Sequence, residues 1–192
     1  MVLINYADHT VNCKIVYYGP GEGGKTTNLR YIYDNLEPSI RSELTSLENA
    51  DERTMFFDFM SVDLGEVKGF NTRFGLYSSP GQENLNAARN MVLNGADGII
   101  FVVDSRVEKL QDNIDSLNNL ENNLKQCGMS IDKIPLVFQY NKRDLENIVP
   151  LDELERKINK NGNPGFEAVA TEGMGVFACL KAISNEILTS LQ

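Results

Sequence analysis

Two short runs of the chain carry residue types at spacings suited to chemistry. The first is Gly19-Pro20-Gly21-Glu22-Gly23-Gly24-Lys25-Thr26, with Thr27 directly after it, and it fits the pattern G-x-x-x-x-G-K-[ST]. Its glycines let successive backbone N–H groups turn inward as a nest for anions. A helix beginning after it adds the partial positive charge of its N-terminus. Lys25 is then placed to reach the β- and γ-phosphates of a nucleotide, and the Thr26 hydroxyl to ligate Mg²⁺. The second run is Asn141-Lys142-Arg143-Asp144. The Asp144 carboxylate can accept from both N1–H and the exocyclic NH₂ of guanine, whereas adenine offers neither donor there. A bidentate, charge-assisted pair of this kind selects the base. The Lys142 stem can cover the base face, and Asn141 can tie this loop to the glycine loop.

A glycine loop alone suits kinases, ATPases and GTPases; the second run points to guanine nucleotides. Around this pair stand weaker candidates. After a strand come Glu167-Ala168-Val169-Ala170-Thr171, where a backbone N–H near Ala170 is expected to meet guanine O6 and Val169 to accompany it. Gly81-Gln82 follows Ser79-Pro80, where the pair could sense a γ-phosphate and Gln82 could orient an attacking water. Arg53 precedes Thr54; an arginine supplied in cis could neutralise transition-state charge, and a threonine could complete the Mg²⁺ shell. Adjacent side chains of a strand point to opposite faces, so Arg53 and Thr54 cannot both face a ligand in a regular strand. Thr45 competes for the metal role on its spacing from Lys25. Thr54 is favoured because it sits just before a strand and nearer Gln82. An acidic residue three positions before Gly81 would help to hold the metal, but position 78 is serine, which leaves Thr26, waters and Asp58.

These runs must be positioned by strands and helices. Cys13-Lys14-Ile15-Val16-Tyr17-Tyr18 is β-branched and aromatic and reads as a buried strand, and Leu29, Ile32 and Tyr33 recur at helical spacing behind the loop. Residues 55–60 and 70–77 read as two strands with no crossover helix between them, hence antiparallel. Further strands are expected over 98–103, 135–140 and 166–170, and helices within 79–94 and over 107–126, 151–160 and 175–191. The polar stretch 37–53 is long for a connection. Six strands and five helices make a three-layer α/β domain with a mostly parallel sheet, one antiparallel edge strand at 55–60 and helices on both faces. Both runs then fall past the carboxyl ends of strands, where open α/β sheets bind ligands.

The 192 residues suit one domain, 1–192, with a real core; 42% are apolar and 23% charged, as in a soluble globular protein. A net charge of −9 argues against a general nucleic-acid surface or a polybasic membrane patch. No apolar run approaches about 18 residues, and neither end carries a signal-peptide or lipidation pattern. Cys13, Cys127 and Cys179 are isolated thiols without metal spacing, which suits a reducing cytoplasm, and His9 stands alone.

Taken together the chain resembles the Ras-like small GTPases, and more closely the bacterial MglA group of polarity and gliding-motility GTPases. Specific marks are Asn12-Cys13-Lys14-Ile15-Val16-Tyr17-Tyr18-Gly19-Pro20-Gly21, Glu52-Arg53-Thr54, Phe56-Phe57-Asp58-Phe59, Pro80-Gly81-Gln82 and Gln139-Tyr140-Asn141-Lys142-Arg143-Asp144-Leu145. The resemblance implies a P-loop NTPase fold of the G-domain type and a GTP/GDP switch with Mg²⁺ as cofactor. It also implies a second strand that slides on GTP binding, placing Arg53 and Thr54. A roadblock-domain partner (MglB) would accelerate hydrolysis without adding an arginine, and the protein would act as a monomer recruited to a cell pole through partners. The group generally lacks the acidic residue at 78. After Gln82 it usually continues with bulky apolar residues, but here comes Glu83-Asn84-Leu85-Asn86. The alternative reading is a guanine-nucleotide-binding interaction scaffold with little intrinsic hydrolysis; a P-loop kinase is disfavoured by residues 141–144.

Overall fold

The computed structural model describes residues 3–47, 57–81 and 85–190. Its framework is a mixed sheet. The strands are β1 (Leu3–Asn5), β2 (Thr10–Tyr18), β3 (Thr45–Leu47), β4 (Phe57–Val67), β5 (Phe70–Ser78), β6 (Gly98–Asp104), β7 (Leu136–Asn141) and β8 (Gly165–Glu167). The helices are α1 (Lys25–Asn35), α2 (Asn86–Leu93), α3 (Leu110–Gln126), α4 (Leu151–Ile158) and α5 (Val176–Ser190). Seven strands run in the order β3-β4-β5-β2-β6-β7-β8, and β1 pairs with β2. Neighbours from β5 through β8 are parallel, while β1/β2, β3/β4 and β4/β5 are antiparallel.

The period-2 alternation of β2 divides the core. Ile15 and Tyr17 face one layer with Leu29 and Ile32 of α1 and Cys179, Ile183 and Ile187 of α5. Val16 and Tyr18 face the other with Val92 of α2, Leu120 and Leu124 of α3 and Leu154 of α4. Every residue of β6 and β7 is buried, as expected for parallel strands covered on both faces. Each large apolar side chain so enclosed contributes about 1.5–3 kcal/mol.

Among the described residues eight strands stand where six are expected. The two extra ones, β1 and β3, are three residues each and too short to show a period. β3 pairs with residues 57–59 of β4, so the edge of the sheet passes from β4 to β3. β4 also runs on to Val67, past residue 60, where the strand is expected to end. Its outer half, residues 63–67, carries an exposed Leu64 among Asp63, Gly65 and Glu66, and a tight turn at Lys68 (φ 51°) and Gly69 (φ 84°) leads into β5. The five helices stand close to where the periodicity places them. The third, expected from Val107, begins with a 3₁₀ turn at Val107–Lys109 before the α-helix proper, and β8 is shorter than expected.

Candidate functional site

The carboxyl ends of β2, β5, β6 and β7 are Tyr18, Ser78, Asp104 and Asn141, and the site is built on the loops leaving them. Between β2 and α1 the chain folds back tightly. Gly24, the residue before α1, has φ +106°, and a Cβ there would lie 2.2 Å from Asn141 Nδ2. Only glycine admits both the backbone angle and that approach. Glu22 takes a left-handed φ of 61° without that freedom. On the opposite wall Gly81 presses on the loop: a Cβ on it would come within 2.8 Å of Gly21 Cα and 3.5 Å of Lys25 Nζ.

Three cavities border the loop; one lies on its Pro20–Glu22 side against Arg89 and Lys109, and the other two meet at the start of α1. The first of these two, about 370 Å³, is lined by Glu22, Gly23, Gly24, Lys25, Thr26, Thr27, Ser46, Asp58, Ser78, Ser79, Pro80 and Gly81 among others. The second, about 350 Å³, is lined by Asn141, Lys142, Asp144, Leu145, Ala170 and Thr171 and shares Glu22, Gly24 and Thr27 with the first. The two therefore adjoin across the start of α1.

The first cavity holds a strained charge. Lys25 is 6% exposed, and its ammonium donates to Gly19 O (2.9 Å) and Pro20 O (2.6 Å). Among the described residues it forms no ion pair with a carboxylate. Burial, and then the nearby Arg89 guanidinium, bring its pKa down from 10.5 to about 7, against a smaller opposing pull from Asp58. A buried ammonium in contact with carbonyls alone, beside a helix N-terminus, is suited to phosphate oxygens. Ser79 Oγ, buried in the same wall, has no hydrogen-bond partner among the described residues.

Beside Lys25 three hydroxyls converge on one carboxylate. Thr26 Oγ1 donates to Asp58 Oδ2 (2.6 Å), Ser78 Oγ to the same oxygen (2.9 Å), and Ser46 Oγ to Oδ1 (2.7 Å). Asp58 N–H in turn donates to Ser78 Oγ (2.8 Å). Asp58 is 8% exposed and forms no ion pair among the described residues. These hard oxygen donors fit Mg²⁺, which favours carboxylate, hydroxyl, water and phosphate oxygens. Ser78 stands where an acidic residue is missed, and β4 brings Asp58 to it across the sheet. Thr45, the rival metal candidate, is exposed on β3 and lines neither cavity; Ser46 is the residue of β3 that reaches the site.

At the second cavity Asn141 ties three segments together. Its Nδ2 donates to Gly23 O (2.8 Å), and its Oδ1 accepts the Ala170 N–H (2.9 Å). The link to the glycine loop is as expected. The Ala170 N–H, expected to face a guanine oxygen, is engaged by Asn141 because the same side chain bridges both loops. Val169 is buried and lines neither cavity; its N–H donates to Met174 O (3.1 Å). Arg53, Thr54 and Gln82 lie outside the described residues.

Several residues at the site have no sequence signal. Arg89 of α2, 3% exposed, donates from Nε to Pro80 O (2.9 Å), from Nη2 to Gly81 O (2.9 Å) and from Nη1 to Asn119 Oδ1 (2.8 Å). It anchors the loop that carries Gly81 to α2 and α3. Asn28 and Gln139 exchange two amide hydrogen bonds (2.7 and 2.8 Å), fastening α1 to β7 beneath the loops. A run of charged or amide residues on an amphipathic helix reads as a solvated face, so nothing local marked either contact.

Known proteins match over this same architecture. The Ras family model matches residues 14–189. The Mutual gliding-motility protein MglA of Myxococcus xanthus is 48% identical over 192 residues, covering all of this chain and 98% of that protein. ADP-ribosylation factor-like protein 3 of Caenorhabditis elegans is 29% identical over 132 residues, 62% of this chain and 70% of that protein. ADP-ribosylation factor-like protein 4A of Homo sapiens is 30% identical over 120 residues, 55% of this chain and 56% of that protein. With a match that runs from within β2 nearly to the end of α5, the chain belongs to the Ras family of P-loop GTPases, as a GTP-binding switch protein of its MglA-like kind.

Proposed function

We propose that GTP and GDP bind with their phosphates in the first cavity and their guanine in the second, and that the protein hydrolyses GTP to GDP and phosphate. One observation carries this reading: the adjoining cavities place a buried ammonium (Lys25) at one end and an exposed carboxylate (Asp144) at the other, neither in an ion pair among the described residues. A ligand with an anionic tail and a neutral head rich in N–H donors is complementary to both. Gly19, Gly21, Glu22, Gly23 and Gly24 wrap the phosphates through their backbone, Lys25 meets their charge, and Thr26 and Thr27 close the helix end. Gly81 approaches from the far wall. Asp144 takes N1–H and the exocyclic NH₂, with Asn141, Lys142 and Ala170 framing the base. Mg²⁺, when bound, would neutralise charge on the phosphates. Thr26 and Thr54 are the residues proposed to hold it, with Asp58 accepting the Thr26 hydroxyl hydrogen from behind.

Gln82 orients the attacking water and Arg53 neutralises charge on the transferring phosphoryl group. By similarity to the Myxococcus xanthus relative, whose name places it in gliding motility, the switch serves cell motility or polarity from the cytoplasm. The resemblance to that group supplies the partner: a roadblock-domain protein of the MglB kind that accelerates hydrolysis. The test has two parts. Denatured native protein should release guanine nucleotide, and displacement titrations should favour GTP over ATP by orders of magnitude; equal affinities overturn the base assignment. Single-turnover GTP hydrolysis should rise when the roadblock partner is added. Tight binding without turnover in its presence would establish the scaffold reading instead.

A further inference from the structure

The loop that carries Asp144 also carries two cations directly before it, Lys142 and Arg143. Either could fold back on the carboxylate. In the structure both are drawn elsewhere. Lys142 Nζ sits 2.8 Å from Asp104 Oδ2. Arg143 Nε sits 2.8 Å from Glu167 Oε2, and its Nη1 donates to Val149 O (2.8 Å). Asp144 is exposed and forms no ion pair among the described residues.

The carboxylate that holds Lys142 is fixed in place. Asp104 ends β6 with its side chain wholly buried, and Asn113 of α3 clamps its backbone, accepting from Asp104 N–H (2.9 Å) and donating to Asp104 O (2.8 Å). Arg106 adds a forked contact, Nε to both carboxylate oxygens (3.1 and 3.2 Å) and Nη2 to Oδ2 (2.8 Å). Burial alone would push the Asp104 carboxyl upward. Hydrogen bonds from Arg106 and Lys142 outweigh it and hold the group below its usual value, so it is ionised at neutral pH. Lys142 meanwhile has a left-handed φ of 66°, a conformation an ordinary side chain rarely takes without support.

We propose that Asp104, seconded by Glu167, is a positioning residue for base specificity: Asp104 holds the Lys142 cation and Glu167 the Arg143 cation, which keeps Asp144 as an acceptor for a purine with two adjacent N–H donors. The inference rests on the reading that Asp144 recognises the base. Asp104 touches no ligand in this scheme; it acts through Lys142. A cation released inside a four-residue loop would compete with the base for the same carboxylate oxygens, weakening the charge-assisted pair that distinguishes guanine.

The experiment compares dissociation constants for GDP and for IDP, which lacks the exocyclic amine, in the native protein, Asp104→Asn, Glu167→Gln and the double variant Asp104→Asn/Lys142→Met. Thermal midpoints are recorded alongside. The IDP-to-GDP ratio should fall about tenfold in Asp104→Asn, the scale of one hydrogen bond to a charged group. It should fall two- to threefold, roughly, in Glu167→Gln, whose more exposed pair is better screened. In the double variant the competing cation is gone, and the ratio should return toward the native value. Parallel weakening of GDP and IDP with an unchanged ratio marks a merely structural role and overturns the inference. If Asp104→Asn does not fold, the exposed Glu167→Gln decides: an unchanged ratio there overturns it as well. A native ratio near one overturns the base-site reading itself, whereas native discrimination that the variants leave intact overturns this inference alone.

Discussion

Lys25→Met should stabilise the nucleotide-free protein while abolishing nucleotide binding. The ammonium is buried, rests on two carbonyls and titrates near 7 in place of 10.5. At about 1.4 kcal/mol per pH unit that gap represents about 5 kcal/mol of unfavourable burial. Methionine keeps much of the stem and removes the charge. The loss on the other side is small: Pro20 O keeps a bond from Gly23 N–H (3.3 Å), so chiefly Gly19 O loses its donor, costing about 1–3 kcal/mol. The balance favours the variant by about 2–4 kcal/mol, or roughly 5–15 °C in Tm for a chain of this size. The sign with pH follows from linkage. Below about pH 7 the lysine is charged in both folded and unfolded states, and its full penalty is present. Between 7 and 10.5 the unfolded chain binds the extra proton, so this group's penalty fades as pH rises. The gain from Lys25→Met should therefore be largest near pH 6.5 and shrink by pH 9. The assay is thermal unfolding of nucleotide-stripped protein at both pH values, with displacement titration of GTP. A variant that melts at or below the native temperature at pH 6.5 refutes the strained-ammonium argument, and retained micromolar affinity refutes the phosphate-loop assignment.

The native protein should lose nucleotide affinity as pH rises from 7 to 9, because phosphate oxygens restore the ammonium and binding must then take up a proton; a flat profile by titration calorimetry would count against this. Asp58→Asn should weaken the Mg²⁺ dependence of nucleotide retention about tenfold, as one charge-assisted bond to Thr26 is downgraded, read by release of fluorescent GDP over a Mg²⁺ series. Asp144→Asn should lower GTP affinity and favour xanthine nucleotides, whose C2 carries an oxygen, in competition titrations. Arg53→Ala and Gln82→Ala should each leave GTP affinity nearly intact yet reduce partner-stimulated turnover on the order of 10³-fold; native rates in both would remove them from the chemistry.

The features legible along the chain are local ones. The glycine loop and the Asn141–Asp144 run are short contiguous patterns whose chemistry depends on neighbours in the chain, so their placement at strand ends could be stated from residue order alone. The five helices and the buried strands announced themselves by period and composition, because one or two faces of each must meet the same core. The link from Asn141 to the glycine loop was legible for the same reason: both runs sit at the ends of parallel strands in one sheet.

Tertiary structure alone decided the rest. Asp58 meets Thr26, Ser46 and Ser78 only because β4 folds back against β5 and takes β3 on its outer edge, and three-residue strands carry no period. Arg89 grips Pro80 and Gly81 from a helix whose surface reads as ordinary amphipathic polarity. The pairs Lys142–Asp104 and Arg143–Glu167 join residues 38 and 24 positions apart. Charges at such separations look interchangeable in a sequence, since any cation can answer any carboxylate through solvent. Burial removes that freedom: once β6 takes Asp104 out of water, Arg106 and Lys142 both answer it, and Asp144 is left without a cation among the described residues.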